Sequence, residues 1–115
     1  EFEAVEANLE HFDTAHCVVG HSHLPMVFTL VEGQEPRVSL PTNADKIQLE
    51  GRTFVNPGSV GQPRDGNNMA SYAIVDTETD SVMFHRVKYD IHETQRRMKE
   101  HDLPQVLIDR LEMGR

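Results

Sequence analysis

The chain has 115 residues, the length of one domain with room for a modest core. A hydrophobic content of 37%, no tryptophan and a formal charge of −8 describe an acidic globular chain, with no run of about 18 apolar residues to span a membrane. No basic run exceeds Arg96-Arg97, so neither nucleic acid nor an anionic membrane is expected as a partner, and the single cysteine, Cys17, excludes an internal disulfide and favours a cytoplasmic origin.

In chain order, Phe2, Val5, Leu9 and Phe12 recur at helical spacing and predict an amphipathic helix. "CVVG" at 17–20 predicts a short, fully buried strand, with Cys17 a buried and inert thiol. "PMVFTLVEG" alternates Met26, Phe28 and Leu30 against Val27, Thr29 and Val31, the pattern of a half-buried strand, and "RVSLP" is its return strand after the "EGQEP" turn. "KIQLEG" and "RTFVNPG" predict two further strands about a Gly51-Arg52 turn. "GSVGQPRDGNN", residues 58–68, is a loop. "SYAIVDTETDSVMFHRV" is a hairpin turning over Thr77 to Asp80. After Asp90 the pattern becomes helical in "IHETQRRMKEH", and Asp102 with Pro104 starts another helix carrying Val106, Leu107 and Leu111. The order predicts an α+β fold with a mainly antiparallel sheet. A fully apolar strand at 17–20 wants cover on both faces, so the opening helix and strand read as the last αβ unit of something larger.

The chemistry centres on "VVGHSHLP", residues 18–25. On a strand, His21 and His23 would share one face about 6–7 Å apart, close enough for one metal or for two neighbouring metals. Gly20 would let the backbone approach a cluster or substrate, and Pro25 would end the segment rigidly. The bland alternative is two ordinary polar residues near a strand end. A catalytic metal needs at least three protein ligands, and a hard divalent pair wants a carboxylate as well. His16, Asp13, Asp45 and Asp65 do not complete a recognisable set by spacing, so the ligand set is incomplete.

"VVGHSHLP" resembles the last motif of the calcineurin-like metallophosphoesterases, a Gly-His-x-His after a buried strand. "FVNPGSVGQPRDGNNMASYAIVD" is similar to the segment that comes after this motif in the bacterial predicted phosphodiesterase branch, and "EANLEHFDTAHCVVGHSHLPMVF" and the tail after "VKYDIHETQRRM" match in style and order. The resemblance implies the C-terminal half of a metallophosphoesterase-type β-sandwich flanked by helices, with two divalent ions (Mn, Fe, Zn or Ni not distinguished). It implies a bridging hydroxide attacking a small phosphate ester, a diester or monoester, with His21 on the second metal and His23 on the first. The family's Asp-x-His, Gly-Asp and Gly-Asn-His motifs precede this point, and none of them is expected in this chain. Residues 1–115 are therefore expected to be the C-terminal portion of one domain. Its N-terminal metal-binding half is expected to lie elsewhere, and the isolated chain is expected to be catalytically silent. Expected partners are that half or a second copy bound through the exposed seam.

In the "NPGSVGQPRDG" loop, residues 56–66, Asn56 and Ser59 are expected to present polar groups at the metal rim, and Arg64 to reach a phosphate oxygen. The alternative is that Gly58 and Gly61 supply positive φ, Pro57 and Pro63 supply rigidity, and Arg64 is solvated. Two rivals stand beside the enzyme reading. One is a non-catalytic interaction or scaffold module of the same fold. The other is a cupin-like barrel, whose expected glutamate falls where Val27 and Phe28 stand.

Overall fold

The computed structural model describes residues 2–115, except for the side chain of Phe2; Phe2's place on the apolar face of the opening helix therefore lies outside the described residues. The helix α1 (Phe2–Asn8) runs into a single 3-10 turn, Leu9–His11. The strands are β1 (His16–Val18), β2 (Pro25–Leu30), β3 (Arg37–Ser39), β4 (Lys46–Gln48), β5 (Arg52–Pro57), β6 (Ala70–Asp76) and β7 (Ser81–Val87). Helices α2 (Ile91–Glu100) and α3 (Gln105–Met113) close the chain. No helix of the described residues is long and apolar enough to cross a membrane.

One sheet has the order β1-β5-β2-β3 and the other β4-β7-β6. All pairings are antiparallel except β1 with β5, so the expected α+β architecture with mainly antiparallel strands is what forms. Val27 and Val55 stand opposite each other on the first sheet, Val82 and Phe84 lie on the second, and with Leu49 they form the core between the two. Burying aliphatic and aromatic side chains from both layers is the main stabilising term of such a sandwich. On the other face of the first sheet, Phe54 meets Phe12 edge-on at 5.1 Å. Arg52 lies over the Phe12 ring at 4.3 Å and donates to the carbonyls of Leu9 and Phe12, which ties the opening helical segment to β5.

Two expectations need correction. Residues 46–57 form two strands but not a hairpin: β4 joins β7 while β5 joins β1 and β2. The chain changes sheets at Leu49, which is buried, and Gly51 has a φ of +58° with only 2.2 Å between a virtual Cβ and the Leu30 carbonyl oxygen. The "CVVG" strand is not fully buried either. Cys17 is half-buried, and Val18 and Val19 are 64% and 39% exposed, because β1 pairs only with β5 and its other edge has no neighbouring strand among the described residues.

The tail obeys its capping chemistry. The Asp90 side chain accepts the Glu93 amide at 3.0 Å to cap α2. The cap of α3 is Pro104 rather than Asp102, and Gly114 ends that helix in the left-handed region. Hydrogen bonds first from Arg96 and then from Arg97 hold the Glu93 carboxyl at about 2, down from 4.5.

Gly51→Ala places a methyl group against backbone and should cost about 1–3 kcal/mol, read as a lower urea midpoint. Because Glu93 has a depressed folded pKa, its stabilisation is present above the ordinary glutamate value. It is lost as the pH falls from 4.5 toward about 2. Circular dichroism should show a helix loss over that window which Glu93→Gln flattens.

Candidate functional site

The order β1-β5-β2 forces the connection through residues 19–24 to arch over the end of β5. Asn56, near the end of β5 and 2% exposed, fills that arch. Its amide donates to the Gly20 carbonyl at 3.1 Å and the Ser22 hydroxyl at 2.9 Å, while its carbonyl accepts the Gly58 amide at 3.0 Å. One buried side chain thus fastens the histidine loop to the start of the 58–68 loop. Only glycine fits at 58: φ is +83°, and a Cβ would approach Ser71 Oγ to 2.7 Å and Pro25 to 2.9 Å. Gly61 has no such requirement, with nothing within 4 Å of a Cβ and no positive φ.

His21 and His23 do not sit on a strand. Both lie beyond the end of β1 and have left-handed backbones, with φ of 75° and 60°. Pleat alternation therefore does not place them on one face, since the chain curls at each histidine. His21 is exposed and lines a cleft of about 640 Å³ that also takes in Val5, Phe12, Cys17, Met26 and Phe54. His23 is not among the residues lining that cleft. It is half-buried and turns toward the other loop, with Nδ1 2.8 Å from the Gln62 carbonyl oxygen. A carbonyl can only accept, so Nδ1 carries the hydrogen and the neutral ring keeps its lone pair at Nε2. Gly20 leaves open space, since a Cβ there would meet nothing within 4 Å.

The other expected site residues have defined partners. The hydroxyl of Ser59 accepts the Gln62 amide at 2.9 Å, and its carbonyl accepts the Ser71 amide at 2.9 Å. Asn56 and Ser59 therefore use these polar groups to shape the loops. Arg64 is exposed; its guanidinium donates to the Gln62 side chain at 3.2 Å, and its backbone amide donates to the His23 carbonyl at 3.4 Å. That places Arg64 beside His23. Gln62, which contacts His23 through its backbone, is not marked by residue type, because a carbonyl leaves no trace in side-chain identity.

The tautomer of His23 is held as a ligating imidazole ordinarily is, and His21 stands exposed two residues before it. Among the described residues, no three His, Cys, Asp or Glu side chains come together to hold a cation. Asp65 pairs with Arg86, and Asp45 caps Thr42. Asp90-Ile91-His92 has Asp-x-His spacing but is a helix start: Asp90 caps α2, and His92 is an exposed side chain 3.5 Å from Glu112. His16 binds the Thr53 hydroxyl at 2.7 Å.

Removing the Asn56 amide strands the partners it satisfies. Asn56→Ala should lower stability by about 2 kcal/mol. Amide exchange at Ser22 and Gly58 should accelerate more than exchange across β6 and β7.

Residues 1–80 match the family model of the calcineurin-like phosphoesterase superfamily domain. An uncharacterised protein of Methanocaldococcus jannaschii is 39% identical over 97 residues, 84% of this chain and 38% of that protein. The crystal structure of a metallophosphoesterase from Sphaerobacter thermophilus superposes with a TM-score of 0.87 at 40% identity, over 97% of this chain and 47% of that one. A structure from Pyrococcus horikoshii OT3 shares the fold, with a TM-score of 0.65 at 24% identity over 99% of this chain and 37% of that one. The chain thus spans less than half the length of these relatives, and it belongs to the calcineurin-like phosphoesterase superfamily.

Proposed function

We propose that these residues form part of a phosphoesterase whose centre holds two divalent ions, with His21 and His23 as two of the ligands and the acidic ligands supplied by residues beyond these 115. Family membership supports phosphoester chemistry. The observation that carries the ligand assignment is the His23 Nδ1 contact with the Gln62 carbonyl, which leaves Nε2 free to donate its lone pair. His21, exposed at the cleft rim, would hold the second ion. Bound divalent ions supply Lewis acidity toward a phosphoryl oxygen and acidify a water. Asn56 and Ser59 keep the two loops in register, and the exposed Arg64, whose backbone amide meets the His23 carbonyl, would turn its guanidinium to a non-bridging oxygen of a small phosphate mono- or diester.

The incomplete donor set and the free edge of β1 with its exposed valines support a second element of the proposal. The strand edge takes the remaining half of the domain or, without it, a second copy of this chain. Alone, the chain should bind Mn²⁺ weakly and show no hydrolysis of bis(p-nitrophenyl) phosphate above buffer. Full turnover by the pure chain would refute this. In a protein carrying the remaining length of its relatives, His21→Ala or His23→Ala should lower kcat/KM by about 10²–10³. Sizing with metal analysis separates the scaffold alternative: a tight oligomer that takes no metal and has no activity at full length favours it.

A further inference from the structure

The loop that presents the Gln62 carbonyl to His23 is held internally by Ser59, which accepts the Gln62 amide, and by turns at Asp65 and Asn67, and it is tied to β7 by Arg86. Arg86 is an almost fully buried cation, with 4% of its side chain exposed. Its guanidinium grips both carboxylate oxygens of Asp65, at 2.7 Å and 3.0 Å, and the Asn67 carbonyl at 2.6 Å. Asp65 directly succeeds Arg64, whose amide meets the His23 carbonyl, and lies three residues after Gln62. The end of α3 braces the same loop: Gly66 donates to the Gly114 carbonyl at 3.0 Å and Asn68 to the Glu112 carbonyl at 2.9 Å. Ser71 pins its beginning through Ser59 and Pro57.

We infer that Arg86 is a positioning residue for His23. Through Asp65 and the Asn67 carbonyl it holds the Gln62 carbonyl against His23 Nδ1, and so sets the tautomer that leaves Nε2 available to a divalent cation. The cation part rests on the ligand reading of His23 proposed above; the tautomer part does not. A bidentate guanidinium fixes both the distance and the plane of the carboxylate, which a lysine ammonium does not. The loop is thereby fixed relative to β7 rather than relative to its own tip. Sequence alone does not expose this link, because Asp65 and Arg86 are 21 residues apart and lie in separate elements.

The test is a long-range proton–nitrogen correlation spectrum of the histidine rings at about pH 8.5, above the ordinary histidine range. It compares the 115-residue chain with Asp65→Asn, Arg86→Lys and a remote control, Arg37→Ala. The unaltered chain should show His23 with its hydrogen at Nδ1. Both loop variants should lose that pattern toward the Nε2–H form favoured in solution, with the amide pattern of β6 and β7 retained, while Arg37→Ala changes nothing. Should Arg86→Lys fail to fold, Asp65→Asn, nearly identical in shape, decides alone. An unchanged Nδ1–H pattern in a folded Asp65→Asn overturns the inference, and so does an equal loss in Arg37→Ala. Zn²⁺ added to the same samples reads the ligand proposal separately. A His23 Nε2 response weakened about ten-fold or more in the variants supports both. A held tautomer leaves the positioning by Arg86 standing whether or not Zn²⁺ shifts the ring, and the ligand proposal is decided by the same titration in a protein carrying the remaining length of its relatives.

Discussion

The Asn56 amide joins two loops that have no shared strand. β5 lies between β1 and β2, so the connection between those two must pass over its end, and a side chain near that end can reach the crossing chain. An aliphatic residue there would fill the space but leave the Gly20 carbonyl and Gly58 amide without these partners. Asparagine supplies both a donor and an acceptor from one short planar group. The pairing of β2 with β5, in register from Pro25 with Pro57 to Leu30 with Arg52, keeps Asn56 in place. The buried core beneath this pairing therefore determines the position of residues that take no part in the core.

The histidine loop carries strain. His21 and His23 are non-glycine residues in the left-handed region, each costing about 1–2 kcal/mol relative to an ordinary backbone. Such backbones persist only where neighbours over-determine them. Here the determinants are the Asn56 amide on one side and the Gln62 and Arg64 backbones on the other. The second group is braced by the pair of Arg86 with Asp65, in which the guanidinium is almost fully buried and the carboxylate is 28% exposed. The His23 ring is thereby fixed through Nδ1, while at His21 the neighbours fix the backbone and the ring is exposed.

Much of this is legible in the sequence, for identifiable reasons. Alternating runs announce β2 and the β6–β7 hairpin as strands, but β2 is not the half-buried strand its pattern suggests: Val27 and Phe28, on its two faces, are both buried. Asp90 announces α2 because a carboxylate acceptor meets free amides there. The residues of the histidine loop are visible as a motif, but their geometry is not, since two left-handed histidines break the pleat that spacing assumes. The path through Leu49 and Gly51 is hidden because two adjacent apolar segments look like a hairpin whether or not they share a sheet. The composition of "CVVG" overstates its burial: apolar residues report the cover a strand needs, and the described residues provide only one partner for β1. Gln62 and Arg86 are invisible for a simpler reason. One acts through its backbone, and the other across a distance in sequence that only the fold closes.

The charge of the chain bears directly on where the acidic ligands come from. A formal charge of −8 does not accumulate at the histidines. Asp65 is neutralised by Arg86, Glu93 by Arg96 and Arg97, and Asp45 is committed to Thr42. The cation beside His23 in this arrangement is the exposed Arg64, so the local field around the two imidazoles carries no compensating negative group from the contacts described. On the proposed reading, two neutral nitrogens would not offset the charge of a divalent pair, and carboxylates from outside the described residues would have to do so. The free edge of β1, with Val18 and Val19 64% and 39% exposed, is a second requirement that the described residues leave unmet. The remaining half of the domain would then have to supply both negative charge for the site and cover for the strand edge.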